Sequence, residues 1–287
     1  MDNYKQTLPR YESMKYRRCG QSGLLLPEIS LGFWHNFGAD ASKDNCREIV
    51  ECAFDNGITY FDLSNNYGPP CGAAESLFGE IFWSSLAAHR DEVVIATKAG
   101  HDMWPGPYGE WGSRKTIIAS IDQSLKRMKL DHVDIFYSHR PDPLTPIEET
   151  MQAFVDVVRQ GKALYVGLSK YPPEMAAKAY AYLREQHVPC LVYQGRYNMI
   201  DRNVEPEILP QAEAAGAGFV AFSPLAQGLL TGKYQHGIPE GSRMTHSGFL
   251  KPDVLTPELL DQIAVWGKEA EAEGVTLAQY ALRWVLR

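Results

Sequence analysis

The sequence predicts an α/β protein folded as a (β/α)8 TIM barrel with a hairpin near its N-terminal end. Short apolar runs typical of buried parallel strands alternate with amphipathic stretches that have helical spacing. The strand-plus-helix unit recurs seven times, and each unit has roughly 25 to 40 residues, the length of one βα unit. The first apolar run leads into Gly32-Phe33-Trp34-His35 and not into a GxGxxG turn, which disfavours an open doubly wound sheet.

The predicted strands are set out along the whole chain. A hairpin is predicted over residues 16–27, around a Gly-Gln-Ser-Gly turn. Seven buried strands are predicted after it, over residues 29–33, 58–63, 93–97, 133–138, 163–168, 190–194 and 218–222.

Helices are predicted between these strands. Cys46, Val50 and Phe54 share one helical face, with Gly57 as the stop, and a second apolar stripe runs from Ile117 to Met128. Thr145-Pro146-Ile147-Glu148 is interpreted as a capping box with proline at the first helical position, and Gly161 closes that helix. A last helical pattern covers residues 277–286, and no eighth strand follows it. The single barrel domain over 1–287 is therefore expected to be incomplete at its C-terminal end, and the natural chain to continue.

Composition excludes several classes of protein. The 287 residues are 45% hydrophobic and 22% charged, as in ordinary globular proteins. A net charge of -7 at pH 7 gives no basic surface for nucleic acid or for an anionic membrane. No apolar stretch is long enough for membrane insertion, and no signal peptide begins the chain, so a cytoplasmic protein is expected. Five scattered cysteines without a CxxC predict buried free thiols and no metal site.

The candidate catalytic residues lie at the ends of consecutive predicted strands. Asp62, Lys98 and His139 end the second, third and fourth strands, and Tyr67 lies five residues after Asp62. Taken singly, they have structural explanations: a turn cap, a surface amine, a buried histidine and a packed tyrosine. Barrel active sites form at the carboxyl ends of the strands, so three titratable groups at this rim predict catalysis.

The chemistry of these side chains suits carbonyl reduction. Hydride addition to a carbonyl carbon builds negative charge on the oxygen, which must then be protonated. A tyrosine is a weak acid, and a lysine ammonium beside Tyr67 favours the phenolate and lowers the pKa. Asp62 is the counter-charge that a buried Lys98 needs. A donor on His139 orients the substrate oxygen.

Three motifs resemble the aldo-keto reductase family. Phe61-Asp62-Leu63-Ser64-Asn65-Asn66-Tyr67-Gly68 resembles its FDTAxxYG signature, Ala96-Thr97-Lys98 its lysine strand, and Tyr137-Ser138-His139-Arg140 its histidine strand. The resemblance implies that Tyr67 is the proton donor, that Lys98 and Asp62 tune it, and that His139 positions the carbonyl. It further implies NADPH-dependent reduction of small aldehydes and ketones.

Further motifs resemble the family's cofactor site, which implies binding of NADPH/NADP+. Residues 166–170 resemble a GxSN strand end with lysine in place of asparagine, and residues 222–234 resemble the loop that covers the pyrophosphate. Two cations, Lys233 and Arg243, suit NADPH over NADH. Trp34, at the end of the first strand, would pack on the substrate or the nicotinamide. The cofactor-binding residues implied are Trp34, Asp62, Ser169, Lys170, Gln194, Phe222, Ser223, Pro224, Leu225, Gln227, Lys233 and Arg243.

Residues 19–24, 139–142 and 223–234 resemble one branch of the family, which contains bacterial L-glyceraldehyde 3-phosphate reductase and voltage-gated potassium channel β subunits. This implies L-glyceraldehyde 3-phosphate and methylglyoxal as small-molecule carbonyl substrates, hence methylglyoxal detoxification, and a homo-oligomer, either a tetramer or an octamer. The family's segment for the 2′-phosphate does not follow Arg287, and the natural chain is expected to continue through it.

Two alternatives stay open. One is a regulatory subunit that binds nicotinamide and works by docking to a membrane channel. The other is a barrel lyase with Lys98 as a Schiff-base nucleophile. Asp62 disfavours the lyase because it keeps Lys98 protonated.

Overall fold

The computed structural model describes residues 10–246 and 248–287. The chain divides into two compact units, one of residues 1–194 with 207–219 and one of residues 195–206 with 220–287. Each unit is described by itself, and the single-domain organisation stays a prediction.

The strands form a two-stranded sheet and a seven-stranded sheet, as expected for an α/β barrel. The predicted hairpin is confirmed as β1 (Tyr16–Arg18) paired antiparallel with β2 (Leu25–Pro27). The seven-stranded sheet has the order β3 to β9, with each of the first five neighbouring pairs parallel. Its strands are β3 Leu31–Gly32, β4 Tyr60–Asp62, β5 Val94–Ala99, β6 Val133–Ser138, β7 Ala163–Ser169, β8 Cys190–Arg196 and β9 Gly218–Phe222. All seven predicted strands are therefore present, but their predicted burial fails at both edges of the sheet, since neither residue of β3 is buried and β9 is only half-buried. No eighth strand occurs among residues 223–246 and 248–287.

Strands β4, β5 and β6 are buried on both faces, which explains their largely apolar sequences. Every residue of β4, β5 and β6 is buried. The parallel register aligns Asp62 with Ala96 and Lys98 with Tyr137. Side chains two residues apart on a strand share a face, so Lys98 lies one step further along the common face than Asp62. His139 directly follows β6, and its backbone N–H donates to the carbonyl of Ala99.

Helices connect the strands. Those of the first unit are α1 Arg10–Ser13, α2 Lys43–Asp55, α3 Ala73–Ile81, α4 Arg114–Met128, α5 Ile147–Arg159, α6 Pro173–Glu185 and α7 Ile208–Ala215. The predicted stripes form the buried faces of α2 and α4, and Ser42 and Ser113 cap their N-termini. Gly57 follows α2 with a φ of +78°, as the predicted stop requires.

The capping box predicted at the start of α5 is wrong. Pro146 is the N-cap residue, not the first helical residue, and no side chain caps the helix. The Thr145 hydroxyl donates instead to Asp142, at 2.6 Å, and Asp142 also accepts the backbone N–H groups of Leu144 and Thr145. Thr145 therefore does not cap the helix, because the Asp142 carboxylate binds its hydroxyl and two backbone N–H groups of the same turn.

The second unit has its own small core. It contains α8 (Arg243–His246), α9 (Pro257–Ala272) and α10 (Leu277–Val285). Leu229, Tyr234 and Ile263 are buried in one cluster, and Leu230 and Ala281 in another. A true capping box begins α10, where Thr276 and Gln279 exchange hydrogen bonds.

Two further features concern membranes and thiols. No helix within residues 10–246 and 248–287 is long and apolar enough to cross a membrane. All five cysteines are free, as predicted, but Cys52 and Cys71 are exposed rather than buried.

Candidate active site

A buried ion pair joins two of the predicted catalytic residues. The Lys98 ammonium lies 2.6 Å from Asp62 Oδ2 and also donates to the carbonyl of Leu63, at 2.7 Å. The Lys98 side chain has no solvent exposure. Burial alone lowers the pKa of Lys98, but the Asp62 charge and the neighbouring Tyr67 hydroxyl raise it, and the net direction is upward. Lys98 is therefore a charged donor and a poor nucleophile, which argues against the lyase hypothesis.

Tyr67 accepts the third hydrogen bond of the Lys98 ammonium, at 3.4 Å. Burial raises the pKa of Tyr67, whereas Lys98 lowers it, and the net direction is upward. The lysine contribution has the predicted sign, but the expected net decrease is wrong because burial outweighs it.

His139 faces the same tyrosine. Its ring lies edge-on to the Tyr67 ring, with 5.9 Å between centroids. Burial and the nearby positive charges of Lys98 and Lys170 lower the pKa of His139 well below its ordinary value, so the imidazole is neutral. All four predicted catalytic residues thus lie within one set of contacts.

Asp62 is held by two further side chains. Gln194 donates its amide N–H to Asp62 Oδ1 at 3.0 Å, and the Tyr60 hydroxyl lies 3.3 Å from the same oxygen. Tyr60 is in turn 2.7 Å from the hydroxyl of Tyr137. These contacts fix the carboxylate that holds Lys98.

Two cationic side chains, Lys170 and Arg140, lie near His101, which contacts the predicted catalytic residue His139. The His101 and His139 rings are 4.5 Å apart, and the Lys170 ammonium lies 3.3 Å from His101 Nε2. Burial, followed by the charges of Lys170 and Arg140, lowers the pKa of His101 to about 4. Arg140 pairs with Glu110 and lies over the Trp111 ring. Lys170 thus lies beside His101, and its charge also acts on His139, one of the predicted catalytic residues.

Comparison with known proteins agrees with this geometry. The model of the Aldo/keto reductase family matches residues 28–287. The L-glyceraldehyde 3-phosphate reductase of Escherichia coli (strain K12) is 52% identical over 283 residues, or 97% of this chain and 82% of that protein. A probable voltage-gated potassium channel subunit beta of Arabidopsis thaliana is 38% identical over 278 residues, or 94% of this chain and 83% of that protein.

The chain belongs to the aldo/keto reductase family. It is an NADP-dependent oxidoreductase, and its α/β fold is of the (β/α)8 type found in that family. The resemblance noted on short motifs is therefore confirmed over residues 28–287.

The first unit of this aldo/keto reductase has polar groups that fit a nicotinamide cofactor. Ser169 ends β7, and its buried hydroxyl lacks a hydrogen-bond partner among the described residues. An unpaired buried hydroxyl is costly, so an amide ligand at this position would satisfy it. Trp34 is 36% exposed, which rules out plain core packing for the indole.

The second unit holds the remaining predicted cofactor residues, in a loop with unusual backbone. Phe222 ends β9, and Ser223, Ala226 and Gln227 all have positive φ. The carbonyl of Ser223 accepts a hydrogen bond from the Asn198 side chain, at 3.0 Å. Left-handed backbone at the adjacent residues Ala226 and Gln227 is strained, and such strain is concentrated at functional loops.

The cations of the second unit have different surroundings. Lys233 is exposed, and its ammonium lies close to the Gly228 backbone. A Cβ added at Gly228 would lie 2.9 Å from Lys233 Nζ. Arg243 begins α8 and is half-buried. Leu225 packs against the Leu230 cluster, Gln227 Oε1 is buried without a partner among the described residues, and Pro224 is half-buried.

Sequence reasoning missed three polar residues of the catalytic neighbourhood. Ser64 lies 2.9 Å from His139 Nδ1, and both polar atoms of Asn65 are buried without partners among the described residues. His101 separates Lys170 from His139. Ser64 and Asn65 fall inside the quoted signature, so their polarity was an available signal; His101 directly follows Gly100 after β5 and carried none.

Proposed function

We propose that this aldo/keto reductase reduces small aldehydes and ketones with NADPH, that L-glyceraldehyde 3-phosphate and methylglyoxal are among its substrates, and that Tyr67 donates the proton. The contact that carries the proposal is the hydrogen bond from the buried Lys98 ammonium to the Tyr67 hydroxyl, with Asp62 behind the lysine. A protonated phenol beside a fixed cation is suited to donate to an oxygen on which charge develops.

NADPH, when bound, supplies the hydride. The residues proposed to hold it are the ones implied by the family resemblance: Trp34, Asp62, Ser169, Lys170, Gln194, Phe222, Ser223, Pro224, Leu225, Gln227, Lys233 and Arg243. The orphan hydroxyl of Ser169 and the strained loop after β9 support this assignment.

The protein's own groups perform the acid–base part of the reaction. Because its pKa is raised, Tyr67 keeps its proton at neutral pH until the substrate oxygen becomes negative. Lys98 then stabilises the phenolate that remains, and Asp62 keeps Lys98 charged. A neutral His139 orients the carbonyl by donating a hydrogen bond to its oxygen.

The cations near His139 support an anionic substrate. Lys170 and Arg140 are the charges that act on both His101 and His139. A phosphate on the substrate would place negative charge next to these cations, as the name of the bacterial relative suggests. Methylglyoxal has no phosphate, so it uses only the groups at the carbonyl.

The test is NADPH consumption with each substrate by the parent protein and by Tyr67→Phe, which removes only the hydroxyl. We expect kcat to fall by about 10²- to 10⁴-fold, with the Kd for NADPH unchanged. Tyr108→Phe, at an exposed tyrosine, is the matched control. If Tyr67→Phe keeps most of the parent's kcat, another group donates the proton.

A second candidate function is favoured by the similarity to the Arabidopsis channel subunit. In that case the protein binds NADPH and works by docking to a channel. A parent protein that binds NADPH but reduces neither substrate would support this function and refute the reductase. A homo-oligomer, as a tetramer or octamer, is part of either proposal.

A further inference from the structure

The hydroxyl groups of two buried tyrosines lie behind the pair of Asp62 and Lys98. Tyr60 lies on β4, two residues before Asp62, and Tyr137 lies on β6. The two hydroxyl oxygens are 2.7 Å apart, and the Tyr60 hydroxyl is 3.3 Å from Asp62 Oδ1. Both tyrosines are fully buried, so bulk water does not compete for these contacts. The hydroxyls must therefore find their hydrogen-bond partners in each other and in Asp62.

The carboxylate of Asp62 fixes the direction of these hydrogen bonds. An ionised carboxylate accepts and cannot donate, so Tyr60 donates to Asp62. Tyr60 has then used its only proton, and Tyr137 donates to Tyr60. The opposite arrangement would leave the Tyr137 proton without an acceptor among the described residues, and it would point a lone pair of Tyr60 at the negative carboxylate. The hydrogen bonds therefore run from Tyr137 to Tyr60 and from Tyr60 to Asp62.

Two donors hold Asp62 Oδ1, and they differ in what else they do. Gln194 Nε2 donates to Oδ1 at 3.0 Å, while the other oxygen of the carboxylate, Oδ2, accepts from Lys98 at 2.6 Å. Gln194 is also a proposed cofactor residue. The Tyr60 hydroxyl, in contrast, has Asp62 as the only acceptor of its proton. Tyr60 is therefore the donor dedicated to the orientation of Asp62.

The orientation of Asp62 affects the contact between Lys98 and Tyr67. The ammonium lies 2.6 Å from Asp62 Oδ2 and 2.7 Å from the carbonyl of Leu63, but 3.4 Å from the Tyr67 hydroxyl. The contact to Tyr67 is the longest of the three, so it is the most easily lost. A carboxylate free to turn about its last side-chain bond would present both oxygens to the ammonium and draw it away from Tyr67.

We propose that Tyr60 is a positioning residue of the reaction: its hydroxyl orients Asp62, and Asp62 in turn keeps Lys98 in contact with the proton donor. Tyr137 supports Tyr60 by donating to it. This inference rests on the proposed function, in which Tyr67 gives the proton. The FDTAxxYG signature begins one residue after Tyr60, so this hydroxyl lies outside the signature.

The test measures methylglyoxal reduction and thermal unfolding of Tyr60→Phe, which removes only the hydroxyl. We expect kcat to fall by about three- to tenfold, with the KM for methylglyoxal and the Kd for NADPH unchanged. The unfolding midpoint should fall by about 2–5 °C, because the Tyr137 proton loses its acceptor. A lower kcat with unchanged binding indicates a loss confined to the chemical step.

Tyr193→Phe is the matched control for a lost buried hydroxyl. Tyr193 is buried, and its hydroxyl donates to the backbone carbonyl of Tyr171 at 2.7 Å. This hydrogen bond ends on the backbone and not on Asp62. The control should therefore lower the midpoint by a similar amount and leave kcat at the parent's value.

The double variant Tyr60→Phe/Tyr137→Phe separates stability from positioning. Neither hydroxyl remains, so none is left without a partner, and part of the lost midpoint should return. The kcat should stay as low as in Tyr60→Phe, because the donor to Asp62 is still missing.

Several results would decide the matter. A kcat of Tyr60→Phe equal to the parent's would overturn the proposal, and so would a kcat that recovers with the midpoint in the double variant. An equal fall of kcat in Tyr193→Phe would also overturn it, since activity would then follow stability alone. A parent that reduces no carbonyl would refute the proposed function and the role of Tyr60 with it, whereas the midpoints would still report the hydrogen bond between the two tyrosines.

Discussion

The buried pair of Asp62 and Lys98 provides the sharpest test of the site's construction. Asp62→Asn preserves shape and leaves the Lys98 ammonium without a counter-charge in a place with no solvent exposure. Breaking a buried pair on one side costs about 3–5 kcal/mol, since the remaining charge is desolvated and unpaired. For a chain of 287 residues, the entropy of unfolding near 60 °C is roughly 0.6 kcal/mol/K. The unfolding midpoint should therefore fall by about 5–8 °C.

The assay is thermal unfolding followed by circular dichroism at pH 7, with Asp122→Asn as the control. Asp122 pairs with Lys162 at the same 2.6 Å, but half of its side chain is exposed. Exposed pairs contribute at most about 1 kcal/mol, so the control should lower the midpoint by about 2 °C or less. In the double variant Asp62→Asn/Lys98→Met, most of the lost stability should return, because no unpaired charge remains.

The sign of the pH dependence adds a further check. The pKa of Lys98 is raised above its ordinary value of 10.5, so the pair's contribution is complete below that pH. It is lost as the pH rises through the higher pKa of the folded state. Equal midpoint shifts for Asp62→Asn and Asp122→Asn at pH 7 would refute the reasoning, since burial would then add nothing to the pair.

Three other outcomes are expected. Assayed at saturating NADPH, because Lys170 is also a proposed cofactor residue, Lys170→Gln should raise the KM for L-glyceraldehyde 3-phosphate by about 10- to 100-fold and leave that for methylglyoxal unchanged. Lys170→Arg is the charge-preserving control, and equal effects on both substrates would exclude a phosphate contact. The pKa of His101 is lowered to about 4, so the unfolded chain binds more protons than the folded chain between about pH 6.5 and 4, and the free energy of unfolding falls as the pH falls. Urea unfolding should show this slope reduced by one proton in His101→Phe, and identical slopes would contradict it. Gly167→Ala should destabilise the protein by about 1–3 kcal/mol, because the new Cβ would meet the buried Tyr137 ring at 2.3 Å, whereas Gly23→Ala, where nothing lies within 4 Å, should have little effect in the same urea experiment.

The apolar sequence pattern and the residues that end each element made the strands and helices predictable. Continuous apolar runs identify β5 and β6 because both faces of these strands are buried, and glycine after α2 marks a left-handed stop. The start of α5 was not predictable in the same way. Thr145 stands where an N-cap residue is expected, but its hydroxyl donates a hydrogen bond to Asp142, three residues earlier.

The proposed catalytic residues were predictable because the register of parallel strands relates a residue's place in the sequence to its position along the strands. Asp62, Lys98 and His139 follow from that rule and from the family signature. The direction of the Tyr67 pKa shift could not be predicted from the sequence. Burial raises this pKa and the Lys98 charge lowers it, and the fold determines both the burial and the distance to Lys98. The place of Lys170 beside His101 likewise depends on a loop conformation, with a φ of +60° at the lysine, that local sequence does not specify.

The three acceptors around the Lys98 ammonium also bear on how the protein tolerates its own reactants. Aldehydes condense with uncharged amines to form imines, and this reaction needs a lone pair on nitrogen. Every proton of Lys98 is directed at an oxygen, from Asp62, Leu63 or Tyr67, so the lone pair is absent while the folded pair persists. A mass spectrum of the protein after long exposure to methylglyoxal should therefore show adducts on exposed lysines such as Lys233 and an unmodified Lys98: the amine nearest the chemistry is the one best protected from it.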